Sequence, residues 1–162
     1  MRTLPFLLAA ALTLAVNAAF AHEYKLGGIE IIHPWARATP PSAPSGGGFV
    51  TLTNSGEEAD RLVGAASPVA GRAELHKMEV TDGIMKMRPQ PNGIALPAGE
   101  TVELKPGAFH IMFRDLTGPI KEGERVPLTL TFEKAGSIDV EMAVAPAGAP
   151  GSKDEHDHGG GH

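Results

Sequence analysis

The chain contains no cysteine. It can therefore use neither disulfide staples, common in exported domains of this size, nor the thiolate ligands on which many metal carriers rely. In an oxidising compartment a thiolate pair risks closing into a disulfide, whereas methionine and histidine keep their ligand form. Positive charge is also in short supply. Fourteen lysines and arginines face 19 acidic residues for a net charge of −5, so the chain has no electrostatic footprint for nucleic acid or an anionic membrane. The apolar run Phe6–Val16 is too short and wrongly flanked to span a bilayer. No stretch holds a helical period of useful length, and no solenoid or propeller repeat is present. No Ser/His/Asp constellation or paired-carboxylate arrangement stands out. Gly46, Gly47 and Gly48 follow a proline-rich loop without opening a helix, so they are not a phosphate cradle. Catalysis is not expected.

The first 21 residues read as a leader. Arg2 supplies a positive n-region, Phe6–Val16 an apolar h-region, and Ala19-Phe20-Ala21 a small-x-small cleavage site. Export to the periplasm and cleavage after Ala21 are expected, leaving His22 as the first residue. Loss of Arg2 would move the net charge to −6. Residues 22–145 are then one domain, long enough for a real core. From Pro146 the composition turns to alanine, glycine and proline, then to Lys-Asp-Glu-His-Asp-His-Gly-Gly-Gly-His. That segment has no apolar surface to bury, and residues 146–162 are expected to be a disordered, histidine-rich tail.

Within the domain, short apolar or alternating segments are cut by turn signals. Strands are predicted over 29–33, 48–54, 61–66, 72–79, 85–88, 102–104, 110–113, 126–133 and 138–144. Asn54-Ser55-Gly56, Thr81-Asp82-Gly83, Pro91-Asn92-Gly93, Pro106-Gly107 and Ala135-Gly136 separate them. Thr39–Gly48 reads as a long surface loop. The pattern implies an all-β antiparallel sandwich or barrel. Trp35, the only tryptophan, is expected in the core against Phe49 or Phe132.

What the chain does have is methionine and histidine in short pairs: His76-x-Met78, Met85-x-Met87 and His110-x-Met112. Residues i and i+2 of a strand share a face, so each pair can present two ligands together. Phe109, Ile111 and Phe113 claim the core side of their segment, which puts His110 and Met112 on the other. Lys86 and Arg88 take the wet face of theirs, leaving Met85 and Met87 together. One pair would be unremarkable, since methionine often fills gaps in a core. Three pairs within 37 residues form a thioether–imidazole set, suited to Cu(I) and poorly suited to magnesium, calcium or structural zinc.

The flanking runs resemble the periplasmic copper chaperones of the PCuAC family across residues 29–144. They include Trp35-Ala36-Arg37-Ala38-Thr39-Pro40-Pro41, Glu74-Leu75-His76-Lys77-Met78, Met85-Lys86-Met87-Arg88-Pro89, Leu104-Lys105-Pro106-Gly107 and Val126-Pro127-Leu128-Thr129-Leu130. The family's signature is a histidine, ten residues, a methionine, about 21 residues and His-x-Met. Here ten residues separate His76 from Met87, and 22 separate Met87 from His110. A turn near Asn92-Gly93 would absorb the extra residue. The resemblance implies a cupredoxin-like Greek-key fold binding Cu(I) through His76, Met87, His110 and Met112, and the chain is expected to be a monomer. Met78 and Met85 stay as auxiliary neighbours. It further implies delivery of copper to the copper centre of a cytochrome c oxidase subunit, directly or through a thioredoxin-like assembly protein.

Three other positions carry expectations. His156, His158 and His162 alternate with carboxylates, a harder set that suits a second site for Cu(II). An N-terminal His22 could chelate copper through its amine and ring, as in brace-type oxidases, although a plain chain start is the ordinary reading. His33, before Pro34 at a strand end, is read as structural. A copper buffer serving tolerance, without a dedicated acceptor, is the remaining alternative.

Overall fold

The computed structural model describes residues 23–150. They form eleven strands and no helix: β1 Glu23–Leu26, β2 Ile29–Arg37, β3 Ser45–Asn54, β4 Asp60–Ala66, β5 Ala70–Thr81, β6 Ile84–Pro89, β7 Ile94–Leu96, β8 Thr101–Leu104, β9 Phe109–Leu116, β10 Arg125–Phe132 and β11 Gly136–Ala145. No described helix is long and apolar enough to cross a membrane.

The all-β expectation holds, and all nine predicted strands are present. β1 and β7 escaped the sequence pattern, being only four and three residues long. The sheet is mixed rather than wholly antiparallel, because β11 runs parallel to β2 and β8 parallel to β9. Its order is β6-β5-β9-β8-β3-β2-β11-β10-β4-β7, with β1 also on β2 and β9 also on β3. The sheet folds over so that Ile111 and Phe113 of β9 share one core with Leu128 and Leu130 of β10. Alternation places these residues inward, and burying each large apolar side chain is worth about 1.5–3 kcal/mol.

Several sequence expectations change here. Ser45–Gly48 is not loop; it begins β3 and pairs with Ile111–Arg114 of β9. The glycines are required by close packing, since a Cβ on Gly48 would lie 2.7 Å from Phe113 Cε2 and 3.3 Å from Met142 Sδ. Trp35 packs on Phe49, with ring centroids 4.5 Å apart, but outside the main core. His33 explains why. It sits at φ 48° where the β2–β3 register shifts between Ile32 and Trp35. A bulge of this kind inverts which face later residues take. Ile29 and Ile31 point inward before it and Ala36 after it, so Trp35 turns to the outer face. His33 is thus structural, though within a strand rather than at its end. Ala149 covers the Trp35–Phe49 pair, and its carbonyl accepts a hydrogen bond from Arg37 Nε at 2.9 Å. Residues 146–150 therefore lie against the body, while 151–162 fall outside the described residues.

Candidate metal site

The three Met/His pairs lie on β5, β6 and β9, which stand side by side at one end of the sheet. Asp82 and Gly83 form the two-residue turn between β5 and β6, with φ of 53° and 75°. A type I′ turn needs both central residues at positive φ, and Asp-Gly supplies that readily. The turn fixes the register, placing Met78 opposite Met87 and Val80 opposite Met85. On the other side of β5, His76 faces His110 and Glu74 faces Met112. Directly opposed residues share a face. Glu74, His76, Met78, Met87, His110 and Met112 therefore all occupy one face, while Leu75, Ile111 and Phe113 enter the core.

That face holds a cavity of about 270 Å³ lined by Met78, Met87, His110 and Met112, with Arg37, Gly47, Phe49, Pro106 and Gly107 completing its walls. His76 lies beside it, its ring centroid 5.7 Å from that of His110. Met85 does not line the cavity. It sits two residues further along β6, about 6–7 Å toward the turn, and is 60% exposed. Met87 is 41% exposed, so neither methionine of β6 is a core filler. Met78 reaches the cavity on the same terms as Met87, a place that its sequence spacing did not give it. His22, His156, His158 and His162 lie outside the described residues.

Both histidines are buried, at 2% for His76 and 3% for His110. Each ring has one nitrogen engaged and one bare. His110 Nδ1 donates to the Ala108 carbonyl at 3.3 Å, leaving Nε2 buried without a partner. His76 Nε2 donates to Glu74 Oε2 at 2.7 Å, leaving Nδ1 in the same condition. A buried polar atom with no partner costs about 1–3 kcal/mol, and here two lone pairs bear that cost beside two half-buried thioethers and the exposed one of Met87. With its second nitrogen held by carboxylate or carbonyl, each ring is oriented so that the bare nitrogen could ligate an ion.

Electrostatics favour the neutral, ligating form of His110. Burial holds its pKa below the ordinary 6.5, with the nearby His76 ring adding slightly and the Ala108 bond opposing. Glu74 is held below its ordinary value by the hydrogen bond from His76 and then by Arg114, whose Nε lies 3.0 Å away. Sequence reasoning passed over Glu74, yet its position two residues before His76 was a readable signal of a shared face. Gly47 was passed over for want of a strand. It stands opposite Met112, and its missing side chain leaves room for the cavity.

The donor set is soft: neutral thioether and imidazole, with no thiolate. Among the described residues no group of three or more histidine, aspartate or glutamate side chains is placed to hold a harder ion. A family model for LpqE-like proteins, described as an LpqE-like lipoprotein, matches residues 29–144. The chain belongs to the LpqE-like family.

Lxx21020 of Leifsonia xyli subsp. xyli, named as a lipoprotein, is 31% identical over 117 residues, covering 72% of this chain and 69% of its own. RP573 of Rickettsia prowazekii is 26% identical over 120 residues, or 72% and 66% of the two chains. Among solved structures, the copper-bound PCuAC domain from PmoF2 is 30% identical with a TM-score of 0.67, covering 77% of this chain and 98% of its own. The solution structure of Cu(I)-DR1885 from Deinococcus radiodurans is 30% identical with a TM-score of 0.58, over 80% and 85%. The resemblance to PCuAC domains inferred from the sequence is thereby borne out, as is the fold.

Proposed function

We propose that this LpqE-like protein is an exported carrier of Cu(I) and performs no catalysis. The observation that supports it most is the pair of buried histidines, each with a bare nitrogen, beside three thioethers around one cavity. Copper is the cargo here rather than a resident cofactor. The four-ligand set is His76, Met87, His110 and Met112, with Met78 close enough to serve as an exchange partner. Copper-bound relatives of the same fold, including one carrying Cu(I), support that choice of ion.

The proposed mechanism follows from the donors. Neutral thioethers stabilise Cu(I) over Cu(II) without binding it irreversibly. The histidines anchor the ion from below, while Met87 reaches solvent and can be displaced first. A thiolate-rich acceptor then takes the ion by stepwise ligand exchange. That acceptor is proposed to be the copper centre of a cytochrome c oxidase subunit, reached directly or through a thioredoxin-like assembly protein in the periplasm.

A competition titration against the Cu(I) chelator bicinchoninate tests the site. One Cu(I) per chain is expected in the wild type, and Met87→Ala and His110→Ala should each lose it. Retention of wild-type affinity in either variant would remove that residue from the ligand set.

A further inference from the structure

We propose that the β5–β6 hairpin is the docking surface for the copper acceptor, and that this acceptor presents an apolar patch ringed by acidic side chains. The inference rests on the carrier reading and adds to it the surface used and the chemistry of the partner.

Among the described residues five large apolar side chains are exposed, and four of them, Val80, Ile84, Met85 and Met87, belong to this hairpin. They are not scattered. Met78, Val80, Met85 and Met87 form one face of the ribbon, with Ile84 on the other face beside the turn, and the first face runs directly into the cavity at Met78 and Met87. Every residue of β6 is exposed, and β6 stands at the end of the strand order with β5 as its neighbour. An exposed apolar edge is a liability unless something covers it. A carrier's acceptor must cover this one, because ligand exchange at Met87 requires close approach.

Charge identifies the kind of partner. The opposite face of the ribbon carries Lys77, Lys86 and Arg88 against Glu79, and Glu79 is occupied by Arg88 at 2.9 Å and Lys77 at 3.8 Å. Across residues 77–88, Asp82 at the turn included, together with Arg37 in the cavity wall, cations outnumber anions four to two. The chain as a whole is at −5, so this end is locally inverted in sign. A second copy bringing the same hairpin would meet like charge. An anionic bilayer fits poorly as well, because the hairpin has no tryptophan or tyrosine to seat at an interface. An acidic-rimmed protein surface that covers the apolar face and overhangs the β6 edge meets the charge on the far side as well.

The test compares two acceptors for the Cu(I)-loaded full chain: the apo soluble copper domain of a cytochrome c oxidase subunit II, and bicinchoninate, which has no protein surface. The variants are Val80→Ser and Lys86→Glu, neither of them a metal ligand. Transfer to the oxidase domain should slow about tenfold in each variant and should slow with added salt in the wild type. Transfer to bicinchoninate, Cu(I) affinity and melting temperature should not change. Wild-type transfer rates in the variants, or equal slowing toward both acceptors, would overturn the proposal. So would an absence of transfer from the loaded wild type, which would leave Cu(I) binding itself intact. A dimer in sedimentation that Lys86→Glu abolishes would assign the surface to a second copy instead. Binding to phosphatidylglycerol vesicles lost in the same variant would assign it to lipid. A wild type that takes up no Cu(I) would defeat the carrier reading first.

Discussion

Replacing His110 by leucine should stabilise the metal-free protein while abolishing Cu(I) binding. His110 is 3% exposed, and its Nε2 is buried with no hydrogen-bond partner. That bare nitrogen costs the fold about 1–3 kcal/mol. The substitution forfeits the Nδ1 bond to Ala108, which at 3.3 Å is long and worth at most about 1 kcal/mol. Leucine is close to histidine in volume and gains from burial in full. The balance is a gain of about 1–2 kcal/mol, or a rise in Tm of about 3–6 °C for a domain of this size. Cu(I) should reverse the order. At free metal a hundredfold above Kd, the wild type gains about 2.7 kcal/mol by mass action, and the variant gains nothing. Urea unfolding of both proteins, with and without buffered Cu(I), measures all four stabilities. A metal-free variant less stable than the wild type by 1 kcal/mol or more would refute the reasoning, since it would mean that His110 is held for structure and not for a ligand.

Three further outcomes are expected. Burial keeps the folded pKa of His110 below 6.5, so on acidification the unfolded chain takes up the proton first. The stability contributed by neutral His110 is complete above pH of about 6.5 and declines below it until the folded value is reached. Cu(I) affinity should likewise hold near pH of about 7.5 and weaken on acidification as protons compete for His110; an affinity unchanged down to the acid limit of folding would count against His110 as a ligand. Gly48→Ala places a Cβ 2.7 Å from Phe113 Cε2, against two side chains with no exposure, and should cost about 1–3 kcal/mol in urea unfolding. Deleting residues 151–162 should leave Cu(I) affinity unchanged and lower Cu(II) stoichiometry in calorimetry. Pro146–Pro150 is retained in that variant because Ala149 covers Trp35. An unchanged Cu(II) count would leave the tail without a metal role.

Particular residues show how far the sequence could be read. Alternation in Phe109–Phe113 separates core from ligand face without any tertiary knowledge, because side chains alternate along every strand. Asp82-Gly83 specifies its own turn and hence the Met78–Met87 pairing, because few residue pairs tolerate two positive φ values. Trp35 was legible as a partner of Phe49 or Phe132 and meets Phe49, but its side of the sheet was not legible. A one-residue bulge at His33 reverses the faces after it, and no local pattern announces that reversal. Ser45–Gly48 looked like loop for a related reason. Glycine has no intrinsic liking for a strand, and only the nearness of Phe113 and Met142 makes it necessary there.

The sequence by itself determined the soft donor set, the all-β class and which residues could share a face, since these depend on composition and on a period of two. Beyond that hairpin, the tertiary structure alone decided which pairs meet. It set His76 opposite His110, buried both rings, gave Glu74 and Ala108 the task of holding one nitrogen of each, and brought Met78 to the cavity while leaving Met85 near the turn. Those facts depend on register between strands far apart in the chain, and on what the neighbouring strands exclude from water.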